Sequence, residues 1–297
     1  MYSIISKIRS NDLKNIEQDD FINIKIIYIM KNYLILLCCS ALFSCSSELS
    51  ESPRELSLEE KLAKAKLEDF CRTIEPVSNK EKAENNTARV SFKRSYWDIG
   101  ETVKIKFLNG DKYFQDLVKK YANEWTKYAN LKFVWVASNE DADIKIAFKW
   151  NGDDGSWSKV GKWCIKVPQD QPSMNFGSLE KSRYDDIDSS RARVILHEFG
   201  HAIGLAHEHQ HPLNNFRWDL DFAYYYYKEV YGYDKEIVDA DFIDKYSVTE
   251  VDYGEFDKKS IMMYGIPSGL ILDYISFSRN YVLSNGDKNV ARLIYPK

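Results

Sequence analysis

No basic block or stripe occurs anywhere in the 297 residues, whose 41 lysines and arginines are outnumbered by 45 acidic residues. A nucleic-acid surface concentrates positive charge on one face, so that class of partner is disfavoured. None of the five cysteines forms a C-x-x-C pair, which leaves a thiolate zinc site without support. There is no internal repeat. The acidic trio Asp185, Asp186 and Asp188 lacks the spacing of an EF-hand and reads as a solvated loop. The apolar run at 33–43 has eleven residues, too few to cross about 30 Å of hydrocarbon as a helix. Apolar residues as a class are not scarce: at 44% of the chain they allow one large domain with a sizeable core, or a domain with an appendage.

The N-terminal run is better explained as an address. One lysine, Lys31, precedes the apolar stretch, and the sequence then reads Leu42-Phe43-Ser44-Cys45. This fits a secretory signal and resembles a bacterial lipoprotein signal over residues 30–44, in which Cys45 is lipidated and becomes the first mature residue. On this reading Met30 is the true start and residues 1–29 are a mis-called upstream extension. An uncleaved anchor over 21–44 is the alternative, but Lys25, Lys31 and Asn32 interrupt it. Residues 45–88 then form a charged tether, poor in aromatics, with one short helix. Ser57 and Glu60 make a capping box there, and Leu58, Leu62, Ala65 and Phe70 fall near one face. Of the remaining cysteines, Cys71 and Cys164 are either one disulfide or two thiols, depending on the compartment.

The pattern changes at about residue 89. Residues 103–107 alternate as a half-buried strand, Asn109-Gly110-Asp111 turns the chain, and 111–129 carries apolar residues at helical spacing. Strands are predicted over 131–136 and 143–148, short edge strands over 156–160 and 164–167, and a helix over 195–204. Strands and helices in this order indicate an α/β domain with a mixed sheet.

All five histidines, His197, His201, His207, His209 and His211, fall within fifteen residues, in HEFGHAIGLAHEHQH. On a helix, His197 and His201 project from one face a turn apart, and Glu198 is displaced by about 100° around the axis. His207 would be carried about 240° round and about 9 Å along a continuous helix. The helix must therefore break, and Gly204 is the residue that ends helices by adopting a left-handed conformation. Two ligands on a helix, a hinge and a third ligand folded back leave an open position on a zinc ion, the arrangement of a catalytic site. Glu198 is then placed to move the proton of an activated water. His209 and His211 more simply line the cleft or hydrogen-bond within their loop than form a second metal site. The four tyrosines 224–227 point all round a helix, so some are core and others surface.

The extended motif H-E-x-x-H-x-x-G-x-x-H resembles that of the metzincin zinc endopeptidases. The continuation Glu208-His209-Gln210-His211-Pro212 and the later Ser260-Ile261-Met262-Met263-Tyr264 resemble the astacin-like branch, whose Met-turn reads S-x-M-x-Y. Softer similarities, among them Ser156-Trp157-Ser158 and Met174-Asn175-Phe176-Gly177, extend the resemblance over about 89–297. It implies an α/β (α+β), two-lobed fold. A mixed five-stranded sheet with two long helices lies above the cleft, and an irregular lower lobe with the Met-turn lies below. It also implies an endopeptidase with one Zn2+ on His197, His201 and His207, and Glu198 as general base and acid. Met262 and Gly204 would shape the site, with Met262 as its floor, and Tyr264 would support the oxyanion. On the residues alone, Tyr264 stays open between that role and one more core tyrosine among twenty. In the family the glutamate after the third histidine, here Glu208, receives a freshly cut N-terminal amine. With residues 45–88 ahead of the domain a basic side chain is the alternative partner. The expected partners are a protein or peptide substrate and, through the lipid, a membrane; the expected state is a monomer. The expected location is exported, on an outer membrane or cell surface, in the periplasm or secreted. A surface adhesin that keeps the fold without turnover is the rival reading.

Overall fold

The structure is a computed structural model and describes residues 56–68, 95–179, 187–249, 251–272 and 276–297. The signal, Cys45, Cys71 and the acidic residues Asp185 and Asp186 lie outside the described residues. None of the described helices is long and apolar enough to cross a membrane.

Five strands form one mixed sheet: β1 (Thr102–Phe107), β2 (Lys132–Trp135), β3 (Ile144–Ala147), β4 (Ser156–Ser158) and β5 (Met174–Phe176), in the order β2-β1-β3-β5-β4. The first four in that order are parallel, and β4 runs antiparallel to β5 at an edge. Helix α1 (Leu58–Glu68) precedes the sheet, and α2 (Lys112–Ala122) follows β1. The long helix α3 (Ile187–Ala202) carries the first two histidines and packs beside α2 and β4. After it come α4 (Leu220–Tyr231), the single turn α5 (Lys235–Val238) and the C-terminal α6 (Asn285–Ile294).

Most predicted elements are present, with three corrections. Residues 164–167 are not a strand; residues 164–166 end a 3-10 turn, Gly161–Lys166, whose Cys164 and Gly161 are buried and which Val167 caps. The helix predicted over 111–129 starts at its N-cap Asp111 but stops at Ala122, and a separate 3-10 turn follows at Trp125–Lys127. The predicted α3 begins eight residues too late, because the polar first turns show no apolar period. The alternation in β1 also misleads. Lys106 is buried, as is Lys145, its partner in register on β3. Turns cover that face, and their carbonyls accept from the ammonium groups: Glu140 from Lys106 at 3.0 Å, and Asp143 and Cys164 from Lys145. A largely parallel sheet is buried on both faces, and a lysine there survives only because backbone oxygens replace water.

Two apolar cores result. The upper lies between the sheet and α2/α3 and includes Val103, Ile105, Ile144, Ile146, Trp125, Phe199 and Ile195. The lower gathers Phe222, Tyr226, Tyr227, Val238, Met263 and Leu270, with Tyr224 and Tyr225 packed at its margin. Thus two of the four consecutive tyrosines are core and two are half-buried. Helix α1 docks on the lower core through Leu62, and Lys61 Nζ sits 2.6 Å from Asp219, the N-cap of α4.

Cys164 is a free, buried thiol whose Sγ–H faces the Lys159 carbonyl at 3.3 Å. Burial pushes its pKa up to about 12. Thiolate is the reactive form, so iodoacetamide at pH 8 should leave Cys164 unmodified in the folded chain and label it only in denaturant. Peptide mapping after alkylation checks this, and rapid native labelling of Cys164 would contradict the packing described.

Candidate active site

Three aromatic donors from the upper lobe hold α3 in place. Trp125 Nε1 donates to Leu196 O at 2.9 Å, Trp97 Nε1 to Ala202 O at 2.8 Å, and Tyr295 Oη to Ile203 O at 2.7 Å. The last two satisfy carbonyls that a helix leaves without internal partners at its C-terminus. The end itself is a Schellman turn: Leu205 N–H reaches Gly200 O at 2.9 Å and Gly204 N–H reaches His201 O at 2.8 Å. Gly204 has φ +98°, and a Cβ there would lie 2.6 Å from the Tyr96 ring. Both conformation and space therefore require glycine at the predicted hinge.

Past the hinge the chain folds back and delivers His207. The ligand-capable atoms of His197, His201 and His207 lie within 4.8 Å of one another, the one such group among the described residues. Their ring orientations are set from behind. His197 Nδ1 donates to Ile261 O at 2.9 Å, and His201 Nδ1 donates to Leu205 O at 3.0 Å. With Nδ1 protonated, each Nε2 presents a lone pair to the centre of the cluster, as neutral metal-binding imidazoles do. His201 Nε2 and His207 Nε2 are 3.0 Å apart. Nitrogens on one tetrahedral zinc at bonds of 2.0–2.1 Å sit about 3.3 Å apart, so this donor set fits that ion. Glu198 is fully buried on α3 between the first two ligands.

The Met-turn, Ser260–Tyr264, closes the site from behind His197. Beyond the Ile261 carbonyl, Met262 O accepts from Glu208 N–H at 3.0 Å. Ser260 Oγ and Ile261 N–H are both held by the Asp287 carboxylate, at 2.6 and 2.8 Å. Asp287 is also the third residue of the capping box that Ser284 opens at the start of α6. The carboxyl is therefore a bolt between the C-terminal helix and the turn behind His197, a role that sequence reasoning missed. The Ser-x-x-Asp spacing at 284–287 was the available signal. The Tyr264 ring lies 4.4 Å from that of His207, 5.9 Å from His197 and 4.3 Å from His209, between centroids.

The predicted loop histidines have ordinary local partners. His211 Nδ1 accepts from Leu213 N–H at 3.0 Å, and burial lowers its pKa. His209 is buried, and its Nε2 donates to Asp241 O at 2.9 Å. Glu208 accepts from the backbone N–H of Asp257 at 2.7 Å in place of the basic side chain considered as its partner. Burial pushes the Glu208 carboxyl up to about 7, and the carboxylates of Asp287 and Asp257 reinforce this against the Asp257 N–H. These acids line a cavity of about 80 Å³ together with Tyr96, Gly204, His207 and Met262.

A family model described as Matrixin matches residues 97–214. A probable matrix metalloproteinase of Invertebrate iridescent virus 3 is 31% identical over 112 residues, which span 34% of this chain and only 31% of that protein. Among solved structures, one of myroilysin superposes with a TM-score of 0.64 at 35% identity, covering 70% of this chain and 98% of that one. A crystal structure of myroilysin gives a TM-score of 0.52 at 34% identity, with coverage of 68% and 86%.

Gly200, inside the motif, was not singled out by spacing. A Cβ there would come within 2.4 Å of Met262 Sδ and 3.3 Å of the Trp125 ring. Alanine gains about 1 kcal/mol of helix propensity over glycine, whereas a methyl forced into a packed core costs about 1–3 kcal/mol. Gly200→Ala should therefore destabilise the chain modestly and weaken zinc binding by displacing Met262. Urea unfolding and competition with a chelating indicator would measure both. A variant more stable than the parent, with unchanged zinc affinity, would mean that Met262 is not a fixed floor.

Proposed function

The chain belongs to the matrixin and metzincin type of zinc metalloproteases, and from that membership we propose that it is an endopeptidase of the astacin-like branch, cutting internal peptide bonds of protein substrates. The observation that carries this reading is the meeting of three imidazoles, two of them locked through Nδ1, beside the buried carboxylate of Glu198. The branch is supported by Ser260-Ile261-Met262-Met263-Tyr264 and by the run Glu208-His209-Gln210-His211-Pro212.

Bound by His197, His201 and His207, zinc supplies Lewis acidity and lowers the pKa of water to about 7. Glu198 accepts the proton of the attacking water and returns it to the leaving amine. Tyr264 donates a hydrogen bond to the carbonyl oxygen as negative charge builds there. Strand β4 is an edge of the sheet alongside α3, and an extended substrate adds to it through main-chain hydrogen bonds. Met262 and Gly204 shape the site from below and behind. The protein acts as a monomer outside the cytoplasm, joined to a membrane by lipid on Cys45.

Glu198→Ala should retain one zinc per chain and lose about 10²–10⁴-fold in kcat on casein or a quenched fluorescent peptide. A chelator should abolish wild-type activity and added zinc should restore it. Wild-type protein that holds zinc yet cuts nothing in a broad peptide library would favour the rival adhesin. The anchor has its own test: Cys45→Ser should end incorporation of an alkyne fatty acid and shift the protein from the membrane to the soluble fraction. Unchanged fractionation would remove lipid attachment from the reading.

A further inference from the structure

His209 is spent on neither the metal cluster nor the surface. Its ring is 1% exposed and lies against that of Tyr264, with centroids 4.3 Å apart and planes inclined by 19°. Of the rings around Tyr264 this one is both nearest and most nearly parallel; His207 is inclined by 47° and Phe242 lies 5.8 Å away. Two aromatic planes at that distance restrict each other's tilt. A plate that wandered could not steady its neighbour, and His209 is prevented from wandering. Its Nε2–H donates to Asp241 O at 2.9 Å, which turns that nitrogen away from the ligand cluster.

The support behind the plate is itself stitched. His209 sits in the 3-10 turn Glu208–Gln210, whose next residue sends its side-chain amide to both Ala240 O and Asp244 O at 2.8 Å. Gln210 O in turn accepts from Tyr246 N–H at 2.8 Å. Asn214 Nδ2 holds the His209 carbonyl. The wide turn Asp239–Ile243 is therefore a rigid bracket for the histidine turn, and Phe242 from the same bracket stands 6.1 Å from the His209 ring. A positioning shell of this kind is what keeps a reacting group near its productive geometry.

We propose that His209 is a positioning residue for Tyr264: its tethered imidazole holds the phenol at the zinc site in the orientation from which it serves the carbonyl oxygen. The inference rests on the role assigned to Tyr264 above. It gives the first histidine of E-H-Q-H a task that needs a planar ring, whereas a loop filler would need only bulk.

The test is a double-mutant cycle on the zinc-loaded full chain with His209→Ala and Tyr264→Phe, read as kcat and KM on a quenched fluorescent peptide. His209→Ala should lower kcat about tenfold with KM changed less than about twofold, since misplacement by an ångström is enough to slow turnover severely. In the Tyr264→Phe background the same change should have little further effect, because groups acting as a unit are not additive. His209→Phe keeps the plate and should restore most of the rate. A second readout needs no activity: in zinc-free protein, tetranitromethane should nitrate Tyr264 several-fold faster in His209→Ala than in wild type, as located by peptide mapping. Full multiplicative losses in the cycle, or equal nitration rates, would overturn the proposal. If Tyr264→Phe alone leaves kcat unchanged, the failure belongs to the role assigned to Tyr264. Should His209→Ala not fold, His209→Phe decides: a tenfold loss that persists in the Tyr264→Phe background also overturns it.

Discussion

Two hydrogen bonds from imidazole Nδ1 to backbone carbonyls govern this site. His197 is held by Ile261 and His201 by Leu205, and those acceptors belong to parts of the chain that must be correctly placed first. An imidazole bonded through Nδ1 has one tautomer and one orientation, which leaves Nε2 available and aimed. Without those acceptors the same two residues on the same helix would rotate and tautomerise, and the spacing alone would not make a ligand set.

Each acceptor is the end of a longer chain of cause. Leu205 O is in position because Gly204 reverses the chain in a Schellman turn, and Gly204 can do so because it carries no side chain to clash with Tyr96 at φ +98°. Ile261 O is in position because Asp287 grips Ser260 and Ile261 from the start of the C-terminal helix. The same helix is followed by Tyr295, which closes the carbonyl of Ile203. The last residues of the chain thus brace both sides of the metal cluster. Ile203, Leu205, Ile261 and Tyr295 all belong to the upper apolar core, where competing water is excluded and each hydrogen bond is correspondingly hard to replace.

The metal cluster was the most legible part of the sequence. Helical periodicity relates positions four apart without reference to the rest of the fold, and glycine's freedom marks the break before His207. The apolar strands, the capping box at Ser57 and the N-cap Asp111 were also visible or half-visible, since caps act within four residues. Less legible were features that depend on partners distant in sequence. Lys106 and Lys145 look like solvent-facing residues until the turns at 137–143 and 161–167 are folded over them. Cys164 sits in an alternating segment that reads as a strand, but the backbone winds into a 3-10 turn to present its carbonyl to Lys145. Gly200 has no local reason to be glycine inside a helix; its reason is Met262, sixty-two positions later.

Residue type and spacing were enough to bring forward zinc, three histidines that could hold it, a glutamate beside them and the hinge, because those constraints act over one or two helical turns. They also located the S-x-M-x-Y segment, though only by likeness. What folding added was orientation. The Met-turn reaches the histidines through contacts spanning more than sixty residues, and His209 meets Tyr264 across fifty-five. No local periodicity encodes such meetings, since they arise when two cores bury their apolar faces and bring unrelated stretches of backbone within hydrogen-bonding distance.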